Sequence, residues 1–106
     1  MSSNRKNEII QERFEIVTSS ISDLATDVFG EKSSDVSFKQ VGRFEYDIDV
    51  VVPFNDQVKT FKTGLEKLFT DVVVRYSYTP KGATTTKLYI NGNIGEMAMD
   101  VQEFNT

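Results

Sequence analysis

The chain has 106 residues and a net charge of −4, and it contains neither cysteine nor histidine. This length suits one domain over residues 1–106, and the missing residue types exclude disulfides, thiolate chemistry and most zinc sites, so a metal would be held by oxygen. The acidic excess disfavours generic duplex binding. No apolar run reaches the roughly 18 residues of a membrane helix, so we expect a soluble protein. The absence of cysteine suits a reducing compartment, and we expect a cytoplasmic location.

A long amphipathic helix is predicted over residues 7–29. Gly30 is placed to end it in the left-handed conformation that glycine adopts after a helix. We expect the acidic opposite face of the helix to be solvated. The alternative is that its carboxylates imitate the phosphates of DNA, which would make the protein an inhibitor of a DNA-binding enzyme. Residues 31–35 are expected to form a polar connector. The apolar stripe, at spacings of three and four, is Ile10, Phe14, Val17, Ile21, Leu24 and Val28.

Two strands follow, at residues 36–41 and 44–53, and the short Gly42-Arg43 break between them predicts a hairpin. Side chains alternate along a strand, so Asp47 and Asp49 share one face of the second strand. Aspartate is disfavoured in strands, and the pair therefore needs either solvent or a cation. The opposite, core-facing row is Tyr46, Ile48, Val50 and Val52.

A second helix is predicted over about residues 56–69, after Pro53 ends the strand. Asn55 is placed to cap it. Gly64 in its interior suggests close packing of this helix on the sheet. The buried stripe is predicted to be Val58, Phe61, Leu65 and Leu68.

The last third is predicted to be a meander of three strands. The first, at residues 72–79, leads into a turn at residues 80–82 in which Gly82 takes the left-handed position. Asn91-Gly92 is a strong signal for a second, two-residue turn. The resulting registers place Val74 and Tyr76 opposite Leu88 and Thr86, and Lys87 opposite Glu96.

These elements predict an α+β, two-layer domain in the order αββαβββ, with two helices packed on one face of a mostly antiparallel five-stranded sheet. The sheet's other face is expected to be uncovered. It would carry Asp47, Asp49, Arg75, Lys87, Glu96 and Asp100.

The three aspartates of this face form a pattern that indicates a catalytic site. Asp47-x-Asp49 on one strand, followed by Asp100 on a later one, resembles the acidic triad of the polymerase-β-like nucleotidyltransferase superfamily. Phe38-Lys39-Gln40 and residues 45–52 are similar to the core of its second-messenger and Mab21-type enzymes. The resemblance implies a metal-dependent nucleotidyltransferase.

In such an enzyme Asp47, Asp49 and Asp100 would be the catalytic Mg²⁺ ligands, because phosphoryl-type transfer requires charge neutralisation and alignment. Arg75 or Lys87 would neutralise the phosphate.

The family differs from this chain in two respects. In the family, the Asp-x-Asp strand follows a Gly-Ser turn and a short helix that contact phosphate, whereas this chain has Val41-Gly42-Arg43-Phe44 at that place. The family's enzymes also carry a second helical domain, whereas this chain ends soon after Asp100. We therefore predict, first, a non-catalytic module that binds a macromolecular partner without a cofactor, with a degenerate nucleotidyltransferase-like domain as one form of it. The Mg²⁺-dependent nucleotidyltransferase is the alternative. A protein is the expected partner. A nucleotide is another candidate, as is a second copy paired through a free sheet edge or the uncovered face.

Overall fold

The computed structural model describes residues 2–30 and 35–104, and of residues 2–10 only the backbone. Residues 31–34, most of the predicted connector, lie outside the described part. No helix within the described ranges is long and apolar enough to cross a membrane. The elements are α1 (Ser2–Phe29), β1 (Asp35–Gln40), β2 (Glu45–Pro53), α2 (Val58–Leu68), β3 (Val73–Tyr76), β4 (Thr85–Asn93) and α3 (Ile94–Phe104).

The strands form one four-stranded sheet in the order β1-β2-β4-β3, and all neighbouring strands are antiparallel. Three helices pack against one of its faces, which makes the fold α+β with two layers. The long strands β2 and β4 are central, and β1 and β3 are the edges. The sheet contributes Tyr46, Ile48, Val50, Val52, Leu88 and Ile90 to the core.

Several predictions from periodicity are confirmed. The aspartate face of β2 is only half-buried while its opposite row is buried, and the predicted stripe of α2 is buried. Gly30 has φ +84 and its amide donates to the Thr26 carbonyl at 2.8 Å, so it ends α1 as expected. Gly82 also has a positive φ of +88.

The prediction of five strands and two helices is wrong, because the segment predicted as the last strand forms α3. Oδ1 of Asn93 accepts hydrogen bonds from the amides of Gly95 at 2.9 Å and Glu96 at 3.1 Å, which is how a side chain caps the start of a helix. The spacing of the buried residues is helical rather than alternating. These residues are Ile94, Met97, Ala98 and Val101.

Asn91-Gly92 is not a turn but part of β4, where Gly92 lies opposite Tyr46. A Cβ atom at Gly92 would lie 2.7 Å from Cγ1 of Val72 and 3.1 Å from Sδ of Met97. Glycine is needed here because two neighbouring side chains occupy the space, and not because a turn requires it.

The register predicted for β3 is also wrong. Val74 lies opposite Ile90 and Tyr76 opposite Leu88, a shift of two positions along β4 that leaves the faces unchanged. Lys87 lies opposite Val51 of β2 rather than Glu96, which belongs to α3. The connection from β3 to β4 is longer than predicted, because β3 already ends at Tyr76.

The start and interior of α2 differ in detail from the prediction. Oδ1 of Asn55 accepts from the Gln57 amide at 2.8 Å, but the residue at the N-cap is Gln57, so Asn55 orders the turn before the helix. Gly64 packs on α1 rather than on the sheet, because a Cβ there would lie 3.0 Å from both Cδ atoms of Leu24.

Candidate functional site on the uncovered sheet face

The sheet face away from the helices presents side chains from all four strands, and we call it the uncovered face. The register arranges them in rows that run across the sheet. One row is Ser37, Asp49, Tyr89 and Arg75, and the next is Lys39, Asp47, Asn91 and Val73. Val51 and Lys87 lie opposite each other in a third.

Of the residues predicted to form a site, Asp47, Asp49, Arg75 and Lys87 lie on this face. The two aspartates are half-buried on β2, at alternate positions. Lys87 is on the neighbouring strand β4, and the exposed Arg75 is one strand further, on the edge strand β3. The structure thus brings these four residues onto one face.

Asp47 is held by a residue that sequence reasoning missed. Nδ2 of Asn91, directly opposite on β4, donates a hydrogen bond to Oδ1 of Asp47 at 2.7 Å. The hydrogen bond gives this half-buried carboxylate a protein donor in place of some of its water. The sequence predicts a turn at Asn91, and only the pairing of β2 with β4 places this residue in the site.

Asp49 has a charged neighbour. Nζ of Lys87 lies 3.9 Å from Oδ2 of Asp49 and 5.9 Å from the centre of the Tyr89 ring. Such a half-exposed ion pair contributes about 0–1 kcal/mol, because both groups remain hydrated. Its main consequence is orientation, since Lys87 lies over the acidic strand beside an aromatic ring.

Asp100 is placed elsewhere, and the prediction that it lies on the uncovered face is wrong because residues 94–104 form a helix. Its Oδ2 accepts from the backbone amide of Thr70 at 2.9 Å, and both carboxylate oxygens lie 3.2 Å from the Thr70 hydroxyl. These bonds connect α3 to the segment that follows α2. Asp100 therefore has a structural partner of its own.

The described residues do not fit a three-carboxylate Mg²⁺ site. Within the ranges that the structure describes, no group of three or more acidic side chains is placed to hold a metal ion. Asp47 and Asp49 remain a pair, and each already has a nitrogen group beside it.

A depression of about 380 Å³ lies at the β3 side of the uncovered face. Val73 and Tyr89 are 50% and 39% exposed there, beside the exposed guanidinium of Arg75. This arrangement combines apolar area, an aromatic ring and a planar cation, and such a combination suits contact with the surface of another macromolecule. The depression is lined by Asp47, Val73, Arg75, Tyr89, Ile90 and Asn91.

No protein-family model, curated protein or solved structure matches this chain.

Proposed function

We propose that the protein is a small non-catalytic module that binds a protein partner through the uncovered face. The observation that carries this proposal is the exposure of Val73 and Tyr89 next to Arg75, while Asp47 and Asp49 are already engaged by Asn91 and Lys87. Tyrosine and arginine are enriched at protein interfaces, where they provide much of the binding energy.

The charge pattern of the face favours a protein over a nucleic acid. Glu45, Asp47 and Asp49 follow one another along one side of β2. Lys87 lies on the neighbouring strand β4, and Arg75 lies one strand further, on β3. A partner that complements this face must carry charges of both signs. A phosphate backbone, which carries one sign only, would be repelled by the acidic strand.

The face is large enough to form the centre of an interface. Its strands have six, nine, nine and four residues, which cover roughly 440 Å² with strands about 4.8 Å apart and a rise of about 3.3 Å per residue. A standard interface buries roughly 800 Å² per partner. Residues at the rim must therefore supply the rest.

The enzyme alternative has less support. A nucleotidyltransferase of the kind that the sequence resembles needs a third carboxylate beside Asp47 and Asp49. The candidate for this role, Asp100, bonds instead to Thr70 on the helical side of the fold.

The proposal can be tested by site-specific photo-crosslinking in cells that produce the protein. A photoreactive phenylalanine analogue replaces Tyr89 on the face or, as control, Tyr78, which is 88% exposed outside the strands. We expect a discrete cross-linked protein from position 89 only. Arg75→Glu should abolish it, whereas Lys81→Glu, the same charge change in the connection before β4, should not.

Equal cross-linking from both positions, or none from position 89, would contradict the proposal. Turnover of a nucleoside triphosphate that requires Mg²⁺ and is abolished by Asp49→Asn would contradict the non-catalytic part of it.

A further inference from the structure

The outer edge of β1 has hydrogen-bonding groups that the sheet does not use. The Val41 amide donates to the Glu45 carbonyl at 3.0 Å, and in an antiparallel pair the bonded positions alternate. The odd-numbered residues of β1 therefore bond to β2, and the N–H and C=O groups of Val36 and Phe38 point away from the sheet. Among the described strands, β1 pairs only with β2.

The same alternation of bonded and non-bonded positions follows independently from the other side of β2. The Phe54 amide donates to the Thr84 carbonyl at 3.0 Å, so the even-numbered residues of β2 bond to β4 and its odd-numbered residues bond to β1. Both observations assign the outward groups of β1 to its even-numbered residues.

The sequence of β1 is complementary to itself in the antiparallel direction. With a two-fold axis at Ser37, Asp35 of each copy lies opposite Lys39 of the other, and Val36 lies opposite Phe38. We propose that the protein forms a symmetric dimer by antiparallel pairing of β1 with β1 of a second copy, which joins the two four-stranded sheets into one continuous sheet.

The hydrogen-bond pattern agrees with this axis. An axis at Ser37 makes Val36 and Phe38 of opposite copies a bonded pair, and these are residues whose N–H and C=O groups point outward. An axis that falls between two residues would place the outward N–H and C=O groups of one copy opposite residues of the other copy whose groups point inward. An axis at Phe38 would keep the bonding pattern but place Lys39 opposite Ser37, and the ion pairs would be lost.

A groove beside the edge can receive apolar side chains of the second copy. It has a volume of about 380 Å³, runs between α1 and Phe38, and includes Phe14, whose ring centre lies 4.7 Å from that of Phe38. Val36 of a second copy would lie opposite Phe38 on the same face of the sheet, at the mouth of this groove.

The other edge is less suited to self-pairing. β3 has only four residues, Val73–Tyr76. Its outward residues are Val74 and Tyr76, because the Ser77 amide donates to the Lys87 carbonyl and fixes the alternation. The corresponding axis at Arg75 would place Arg75 opposite Arg75, which is a repulsive pair.

Charge variants and their mixture test the dimer, with mass measured by sedimentation at several concentrations. We expect the wild-type chain to dimerise, and Asp35→Lys and Lys39→Asp each to weaken dimerisation about tenfold, because each variant replaces two opposite-charge pairs with like-charge pairs. Mixing the two variants should restore the dimer, since every pair is again of opposite charge. Mixing changes no contact within a chain, so recovery cannot come from refolding.

A disulfide tests the position of the axis. Residues at the axis form a non-bonded pair with Cα atoms about 4.5 Å apart, within the range of about 4.4–6.8 Å that a disulfide needs. Oxidised Ser37→Cys should form a covalent dimer. Arg75→Cys, in the same row at the opposite edge, should remain monomeric and is the matched control.

A wild-type chain that stays monomeric at millimolar concentration would overturn the inference, and so would equal cross-linking by the two cysteine variants. If Lys39→Asp fails to fold, as judged by circular dichroism, the cysteine pair decides alone. The inference goes beyond the proposed function, because it concerns the β1 edge: cross-linking from position 89 can fail while the dimer forms, and the reverse.

Discussion

Asn91 and Asp47 lie directly opposite each other on the two central strands, and Nδ2 of Asn91 is 2.7 Å from Oδ1 of Asp47. A hydrogen bond to an ionised group contributes more than one between neutral groups. This bond therefore fixes the carboxylate of Asp47 in the middle of the uncovered face and links β2 to β4 through side chains as well as through the backbone.

Asn91→Ala should lower the free energy of unfolding by about 1 kcal/mol, because the half-buried carboxylate loses its donor. Asn91→Asp should cost more, about 2 kcal/mol, because two carboxylates would then lie opposite each other. Urea denaturation measures both values. Ser37→Ala, on the exposed edge of the same face, is the control and should change stability by less than about 0.5 kcal/mol. An Asn91→Asp protein as stable as Asn91→Ala would contradict this account.

Asp100 has a structural role that mutation can separate from a role in metal binding. Asp100→Ala should lower the free energy of unfolding by about 1 kcal/mol, because the amide and hydroxyl of Thr70 lose their acceptor. Asp100→Asn should cost less, since its side-chain carbonyl still accepts a bond. Urea denaturation gives both values. In a titration with Mg²⁺ followed by a spectroscopic signal, the change in that signal should be identical for the wild-type and Asp100→Asn proteins. Unchanged stability with a loss of Mg²⁺ binding would support the enzyme alternative instead.

The elements with the strongest periodicity were predicted correctly from sequence. β2 alternates along nine residues, and the faces assigned to it agree with the observed burial because a strand places neighbouring residues on opposite sides. The start of α3 shows the limit of such reasoning. Asn91-Gly92 has the composition of a hairpin turn, and the helical spacing of Ile94, Met97 and Val101 was the signal that could have corrected it.

The candidate site was predictable only where it depends on local structure. Asp47 and Asp49 were placed on one face because both lie on the same strand. Asp100 was misplaced because its position depends on whether residues 94–104 form a strand or a helix, and Asn91 was missed because its contact with Asp47 arises from strand pairing. Contacts between elements distant in sequence are not visible in a local pattern.

Gly64 lets α2 approach α1 closely, and the expected result of replacing it depends on Leu24. Alanine at position 64 should gain about 1 kcal/mol from helix propensity. The gain should be reduced in the wild-type background, because the new Cβ would lie 3.0 Å from both Cδ atoms of Leu24. Gly64→Ala should therefore stabilise a Leu24→Ala protein by more than it stabilises the wild type, with a coupling of about 0.5–1 kcal/mol in a double-mutant cycle. Equal effects in the two backgrounds would contradict the contact.

Gly92 provides the sharpest test of the topology of the last third. A turn at Asn91-Gly92 would require glycine for its backbone conformation, whereas in the structure the positive-φ glycines of the described ranges are Gly30 and Gly82 only. The requirement at position 92 is instead for space, because a Cβ would lie 2.7 Å from Cγ1 of Val72 and 3.1 Å from Sδ of Met97.

Gly92→Ala should lower the free energy of unfolding by about 1–3 kcal/mol, since the new methyl group overpacks the core against Val72 and Met97. In a Val72→Ala background, where the closest methyl group is absent, the same replacement should cost at least about 1 kcal/mol less. Urea denaturation of the four proteins completes the cycle. A turn glycine would show no such relief, because the backbone penalty of an alanine at positive φ does not depend on a neighbouring side chain. Equal costs in both backgrounds would therefore favour the hairpin and contradict a continuous β4.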